Sequence, residues 1–524
     1  MKTAIINGFI IQKEKKGNVF INNEIIEEIN YDLLNEDDIN NLKSNGYEVI
    51  DAEELCVSSG FIDVHSHSDL TIIANPEACS ALYQGVTTIV SGNCGFAVSP
   101  LYPNTFNSIK TEAQSYNIHK LNWSSLKEYL DYIESLNISI NYAYLAGHGQ
   151  IRAGLFGYNN IKLNDNDINV FKNELSKVLD EGAIGLSLGL IYIPGKFSDS
   201  KELIELAKVV KSKNKILTNH MRSESSKLLE AINESIEISK ESGVNFEISH
   251  LKAAGVAKGK AKEACLLIEQ AKKNNINIDA DQYPYEASNT GLSQVLPDKY
   301  LEGSIEDIIS KISLNEEQVE KDIENTPHTP WDKIIISEAY NPKLSKYIGL
   351  TIQDISKDLK ISPAKTVIYL LKTEGYDLGA IYFLMDEEEV DYIATKEYVM
   401  VASDSAIRCP YGILSKSHPH PRTYGTFIKF INKYVKQKKL LTLKEAVYKL
   451  SEFPAKKFNI YKRGIIEKGY FADIVIFDLN NLRDNSTYLN PHQYPDGINY
   501  VFVNGKLVLK DKEIISKNGK VLRF

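Results

Sequence analysis

Eight short apolar runs, each followed by an amphipathic stretch, recur along the middle of the chain, and this rhythm constrains the fold more than any other feature. The runs are GFIDVHSH (60–67), VTTIVSGN (86–93), NYAYLAGHG (141–149), IGLSLGLIY (184–192), KILTNHM (215–221), NFEISHLK (245–252), NINIDADQYPY (275–285) and YVMVASDS (398–405). Apolar strands alternating with helices describe βα units around a parallel sheet, and eight such units close into a barrel. The intervening segments read as helices. Asp199 and Glu202 form a capping pair ahead of Leu203, Leu206, Val209 and Val210. Leu228, Leu229, Ile232 and Ile236 make one stripe that ends at Gly243, a C-cap position.

Two features depart from a plain barrel. Roughly 110 residues separate the seventh and eighth runs, far more than one crossover needs, which places an insertion at about 290–345. Both chain ends are β-rich, with TAIINGFIIQ and YEVIDAEELCVSSG at one and FADIVIFDL, NYVFVNGKLVL and GKVLRF at the other. They are expected to pair into one small β-sandwich, residues 1–59 and 463–524, beside a catalytic barrel spanning 60–462.

The bulk numbers narrow the function. With 60 Lys and Arg against 69 Asp and Glu, a net charge of −9 and no basic run, nucleic acid is excluded as an expected partner. No apolar stretch reaches the ~18 residues of a spanning helix, so no membrane partner is expected. The opening MKTAIINGFIIQKEKKGN lacks a signal-peptide cleavage pattern. Five scattered cysteines, Cys56, Cys79, Cys94, Cys265 and Cys409, do not make a disulfide framework, and a reducing cytoplasm is the expected compartment. A small-molecule substrate is expected, with oligomeric state left open, a homo-oligomer included.

In such barrels chemistry gathers where strands end. Those ends carry His65 and His67, Cys94, His148, His220, His250, Tyr283 and Asp404, in a chain with ten histidines. A strand's period of two sends His65 and His67 to the same side. With His220 and His250 they form an imidazole set suited to a borderline metal such as zinc, with Cys94 as thiolate ligand or, alternatively, a small buried hydrophobe. Asp404 is placed for general acid–base work or for capping a helix. Lys252 stands at the mouth, either holding an anionic group or as a solvated loop charge. Cys94 as a nucleophile leaves the four histidines unexplained, and GHGQIRAG (147–154) lacks the end of a phosphate-binding loop.

GFIDVHSHSD, GVTTIVSGNCGFAVSP, GHGQIR, GAIGLSLGLIYIPG, NHMRSE, ISHLKAAG, DADQYPY, ASDS and HPHPRTYGTF, in that order, resemble the N-acyl-D-amino-acid deacylase (D-aminoacylase) branch of the amidohydrolase superfamily. The resemblance implies a TIM-like (β/α)8 metal-dependent hydrolase barrel with a small β-sandwich and an inserted segment. It implies a tightly held zinc ion (Zn2+) on Cys94, His220 and His250, and a weaker second position at His65, His67 and Asp404. Asp404 matches the catalytic aspartate, while Tyr192, Tyr283 and Arg422 match residues holding the substrate's α-carboxylate. The chain departs from the branch at PYEASNTGL, where Ser288 or Asn289 must take a serine's place, and at Ser405, where glycine is usual. The implied reaction is hydrolysis of an N-acyl-D-amino acid. The alternatives are a hydantoinase- or dihydroorotase-like amidase, which needs a carboxylated lysine, and a non-catalytic metal-binding scaffold, which would have lost the aspartate.

Overall fold

The computed structural model describes every residue except 1, 33, 327 and 376. The eight runs form eight parallel strands, Phe61–Asp63, Val86–Ser91, Asn141–Gly147, Gly185–Gly189, Ile216–His220, Asn245–Ile248, Ile278–Gln282 and Val399–Val401. Each pairs with its neighbour in chain order, and a parallel bridge between Ser66 and Ser405 brings the last run back beside the first. Barrel strands are covered on both faces, so no polar-out alternation is needed, and all six residues of Val86–Ser91 are buried. Ile62, Val90, Leu145, Ile216 and Met400 pack together inside, joined by Phe458 and Ile460.

The surrounding helices form where their stripes and caps require. Ser200–Ser212 starts at Asp199, whose side chain accepts from the Glu202 amide, and Leu228–Ser242 ends at Gly243 with φ 65°. Glu202 does not complete the expected capping pair; its carboxylate turns inward to His148 and Arg152.

Both chain ends meet in one mixed nine-stranded sheet. Cys56–Ser59 pairs antiparallel with Ile474–Phe477, stitching the N-terminal strands to the C-terminal ones. Along Ile474–Phe477 the period of two divides the burial. Ile474 and Ile476 join Ile5, Val19 and Phe502 in the domain's own core. Val475 and Phe477 face the other way, into the barrel's core with Phe61 and Phe427.

The segment between the seventh and eighth strands is a separate lobe. Its antiparallel strands, Ala287–Gly291, Ile334–Glu338 and Gly379–Phe383, carry the helices Ile305–Leu314, Glu316–Glu324, Ile352–Leu359 and Pro363–Glu374. Leu292, Ile323, Ile336 and Leu371 give the lobe a core of its own. The last strand and last two helices lie beyond residue 345.

One turn shows how closely the barrel packs. Gly92 has φ 79°, and a Cβ there would sit 2.3 Å from the Leu145 carbonyl oxygen. Gly92→Ala combines a left-handed backbone with a clash against the third strand, neither of which a side chain's rotation relieves. Its unfolding free energy, from urea denaturation followed by circular dichroism, is expected to fall by about 2 kcal/mol or more; an unchanged midpoint contradicts the packing described.

Candidate metal centre and substrate cavity

The first, second, fifth, sixth and eighth strands deliver His65, His67, Cys94, His220, His250 and Asp404 to one mouth of the barrel. Two groups of potential ligand atoms result, His65/His67/Cys94/Asp404 and Cys94/His220/His250, and within each group the atoms lie within 4.8 Å of one another. Cys94 belongs to both. Its sulfur is 3.2 Å from His65 Nε2 and 3.5 Å from His250 Nε2, while His67 Nε2 is 3.2 Å from Asp404 Oδ1. Cys94, His250 and Asp404 all adopt positive φ, 55°, 39° and 48°. Such conformations cost of order 1–3 kcal/mol each for residues with a side chain and gather at functional sites.

The electrostatics favour a ligand set over a packed core. Burial opposes ionisation of the Cys94 thiol, yet the charges of His65 and His220 outweigh it and hold the thiol well below its ordinary value. Asp404 is buried too, but Arg422, whose Nη1 is 2.8 Å from Oδ2, and His250 keep its carboxyl far below the usual range. Burial and the neighbouring His250 push the His220 imidazole down, and both its nitrogens lack a hydrogen-bond partner. A buried imidazole with two idle nitrogens is an unpaid desolvation unless something binds it. A sulfur with imidazole nitrogens around it is the donor set zinc takes, so these residues fit that ion.

Two carboxylates that the sequence reading passed over orient the set. Asp281 accepts from the His250 backbone amide (2.9 Å) and lies 3.0 Å from His65 Nδ1. Glu224 Oε1 lies 2.7 Å from His250 Nδ1. A proton on His65 Nδ1 shared with Asp281 leaves its Nε2 directed at Cys94, the usual way a carboxylate prepares a ligating histidine, while His250 Nδ1 lies 2.7 Å from both Glu224 Oε1 and Lys252 Nζ and its Nε2 likewise faces Cys94. Asp281 was legible in DADQYPY, two residues before Tyr283 and hence on the same face. Glu224 sits in an irregular loop with no periodic signal.

A cavity of about 930 Å³ opens over the centre, lined by Tyr192, Tyr283, Ser288, Asn289 and Arg422 among others. Tyr192 Oη is 3.0 Å from Thr290 Oγ1, whereas the buried Tyr283 hydroxyl has no partner. The Arg422 guanidinium lies 4.6 Å from the Tyr283 ring centre and donates to the Asn289 carbonyl at 3.4 Å. Lys252 is not a solvated loop charge: it is 3% exposed, with Nζ 2.5 Å from Glu224. His148 faces away from the mouth. It starts the helix His148–Phe156, stacks on Phe171, and lies 3.1 Å from Glu202. Cys56, Cys79, Cys265 and Cys409 are buried outside both groups. Among the described residues no helix is long and apolar enough to cross a membrane.

An eight-stranded parallel barrel with thiol, imidazole and carboxylate groups that could hold a metal at the C-terminal mouth has the architecture of the metal-dependent hydrolase barrels. Comparison with known proteins narrows this. Residues 401–509 match the profile described as amidohydrolase family. A D-aminoacylase of Alcaligenes xylosoxydans xylosoxydans is 30% identical over 478 residues, covering 90% of this chain and 88% of the relative. The crystal structure of N-acyl-D-glutamate deacylase from Bordetella bronchiseptica, complexed with zinc and a phosphonate mimic of the tetrahedral intermediate, superposes with a TM-score of 0.82. It is 26% identical and the match covers 100% of this chain and 99% of that one. A D-aminoacylase structure described by its binuclear metal centre matches with the same score, identity and coverage. The chain belongs to the D-aminoacylase family of amidohydrolases.

Asp281→Asn, which weakens the orientation of two histidines, is expected to lower zinc affinity by roughly 10- to 100-fold in a chelator competition. His148→Gln is expected to leave zinc per chain unchanged while lowering thermal stability by about 1–3 kcal/mol, since Glu202 loses a buried partner. Loss of zinc in the His148 variant contradicts its placement outside the mouth.

Proposed function

We propose that the protein is a zinc-dependent deacylase that hydrolyses N-acyl-D-amino acids to a carboxylate and a free D-amino acid. The observation that carries this reading is Cys94, shared by two converging ligand groups at the mouth of the barrel. The family membership and the zinc and phosphonate complex of the Bordetella relative support it. Cys94, His220 and His250 would hold the tight ion, and His65, His67 and Asp404 a second, weaker one. Bound there, zinc supplies a Lewis acid for the acyl carbonyl and lowers the pKa of water toward ~7.

The chain's own residues do the rest. Asp404, ionised in its setting, takes the proton of the attacking water and passes it to the leaving nitrogen as the amide C–N bond breaks. Arg422, whose Nη1 pairs with Asp404, is positioned to exchange its long Nη2 contact with the Asn289 carbonyl for the substrate's α-carboxylate. The unpartnered Tyr283 hydroxyl and Tyr192 flank that position, with Ser288 and Asn289 on the lobe's first strand beside it. Lys252, neutralised by Glu224, places a donor next to the same anion. Pinning the carboxylate, the scissile carbonyl and the side chain at three points is what separates D from L substrates. A hydantoinase-like reading is disfavoured because the fourth strand, Gly185–Gly189, has no lysine to carboxylate.

The test is a coupled assay of free amino acid release from N-acetylated D- and L-amino acids by zinc-loaded protein. Turnover of D-substrates is expected, with Asp404→Asn lowering kcat by about 100-fold or more. Turnover of L-substrates alone, or an undiminished variant, would sink the reading. In Cys94→Ala, zinc per chain is expected to fall from about one to near zero after dialysis, the site having lost its only thiolate.

A further inference from the structure

The cavity's charged residues pair off with one exception on the inner wall. Asp404 faces Arg422 at 2.8 Å, Glu224 faces Lys252 at 2.5 Å and Glu338 faces Arg408 at 3.1 Å. Lys258 is exposed at the rim. That leaves Glu112, on the helix Pro103–Ser115, which lines the same cavity half-buried. Among the described residues its carboxylate meets no ion-pair or hydrogen-bond partner.

Glu112 belongs to a continuous polar wall assembled from three elements. Tyr116, just past the helix, has its hydroxyl 3.4 Å from Arg408 Nη2 and 3.3 Å from the Tyr340 hydroxyl of the inserted lobe. Arg408, from the loop after the eighth strand, directs one nitrogen at both Glu338 oxygens, 3.1 Å from each. Its guanidinium is therefore already engaged, and two carboxylates stand against one fixed cation. Burial, then repulsion from Asp69 and Glu338, pushes the Glu112 carboxyl up to about 7 against the pull of Arg408 and His67, so near neutral pH it is partly protonated and a cation placed beside it favours its ionised form.

We propose that the wall formed by Glu112, Tyr116, Glu338, Tyr340 and Arg408 receives the substrate's side chain and selects D-residues with a cationic end, an ammonium or guanidinium, over those with a carboxylate. This rests on the deacylase reading above. A cation completes the pairing that Glu112 lacks, and the tyrosine hydroxyls accept its remaining hydrogen bonds. A carboxylate in the same place meets Glu112 and Glu338 with Arg408 unavailable, which is selection by repulsion as well as attraction.

The experiment compares kcat/KM for N-acetyl-D-lysine, N-acetyl-D-arginine, N-acetyl-D-leucine and N-acetyl-D-glutamate, using zinc-loaded wild type, Glu112→Gln and Glu338→Gln. Wild type is expected to favour lysine and arginine over glutamate by at least ~100-fold. Glu112→Gln should lower the lysine-to-leucine ratio at least ~10-fold, and Glu338→Gln, which releases Arg408, should raise the glutamate-to-lysine ratio by a similar factor. Circular dichroism and zinc content check folding, and because each readout is a ratio of two substrates on one enzyme, a general loss of activity cannot imitate the result. Preference for glutamate in wild type, or unchanged ratios in both folded variants, overturns the assignment while leaving the deacylase intact. A Glu112→Gln effect confined to acyl-chain preference, read by replacing acetyl with longer acyl groups, also overturns it, because the wall would then face the other arm. Hydrolysis of no N-acetyl-D-residue defeats both readings.

Discussion

Cys94 is held in place by backbone packed against backbone. A Cβ on Gly189 would stand 2.1 Å from the Cys94 carbonyl, one on Gly95 2.8 Å from the Gly189 amide nitrogen, and one on Gly92 against Leu145. The turn after the second strand thus wedges against the third and fourth strands, where no side chain fits. This close approach is what brings a thiol into two ligand groups at once, one shared with the histidines of the fifth and sixth strands and one with those of the first. Everything proposed for the site depends on that sulfur staying where the glycines put it.

The site is costly to build, and its surroundings show how the cost is met. Three of its side-chain-bearing residues sit in left-handed backbone, and a thiol, several imidazoles and several carboxylates are buried together. Such a set is tolerated only when charges are mutually compensated and hydrogen-bonded. Asp281 bridges the first and sixth strands by engaging His65 and the His250 amide; Asp63 accepts from the Ser403 amide at 2.9 Å, tying the first strand to the eighth. These carboxylates fasten the strand ends together at the level of the site. Closing the barrel and bringing these side chains together are therefore the same physical event.

The inserted lobe gives the mouth its far wall. Its first strand begins three residues after Pro284, so Ser288, Asn289 and Thr290 reach the cavity directly from the seventh strand, while Glu338 ends its second strand and Tyr340 follows just beyond. The candidate ligands stand on the barrel and much of the cavity lining on the lobe, so the lining can vary without disturbing the groups at the strand ends.

Strand periodicity and residue types were enough to locate all eight barrel strands, the insertion between the last two, and the pairing of the chain ends. These are local properties: apolar runs of strand length, helical stripes, and ligating side chains at strand ends. Glu202 marks where local reasoning fails, since a capping motif predicted its amide's partner but not that its carboxylate would neutralise Arg152 in the interior. His148 stands at a strand end like the others, yet the chain enters a helix at that residue and the ring packs in the buried layer against Phe171 and Glu202 instead of the mouth. Glu224 lies in a loop, and its position against His250 and Lys252 depends on how two neighbouring strands are juxtaposed. The sequence by itself determined which residues could be ligands and which strands carry them. Tertiary structure alone decided which of them converge and which carboxylates orient them, because direction at a strand's end is set by backbone turns and packing between segments remote along the chain.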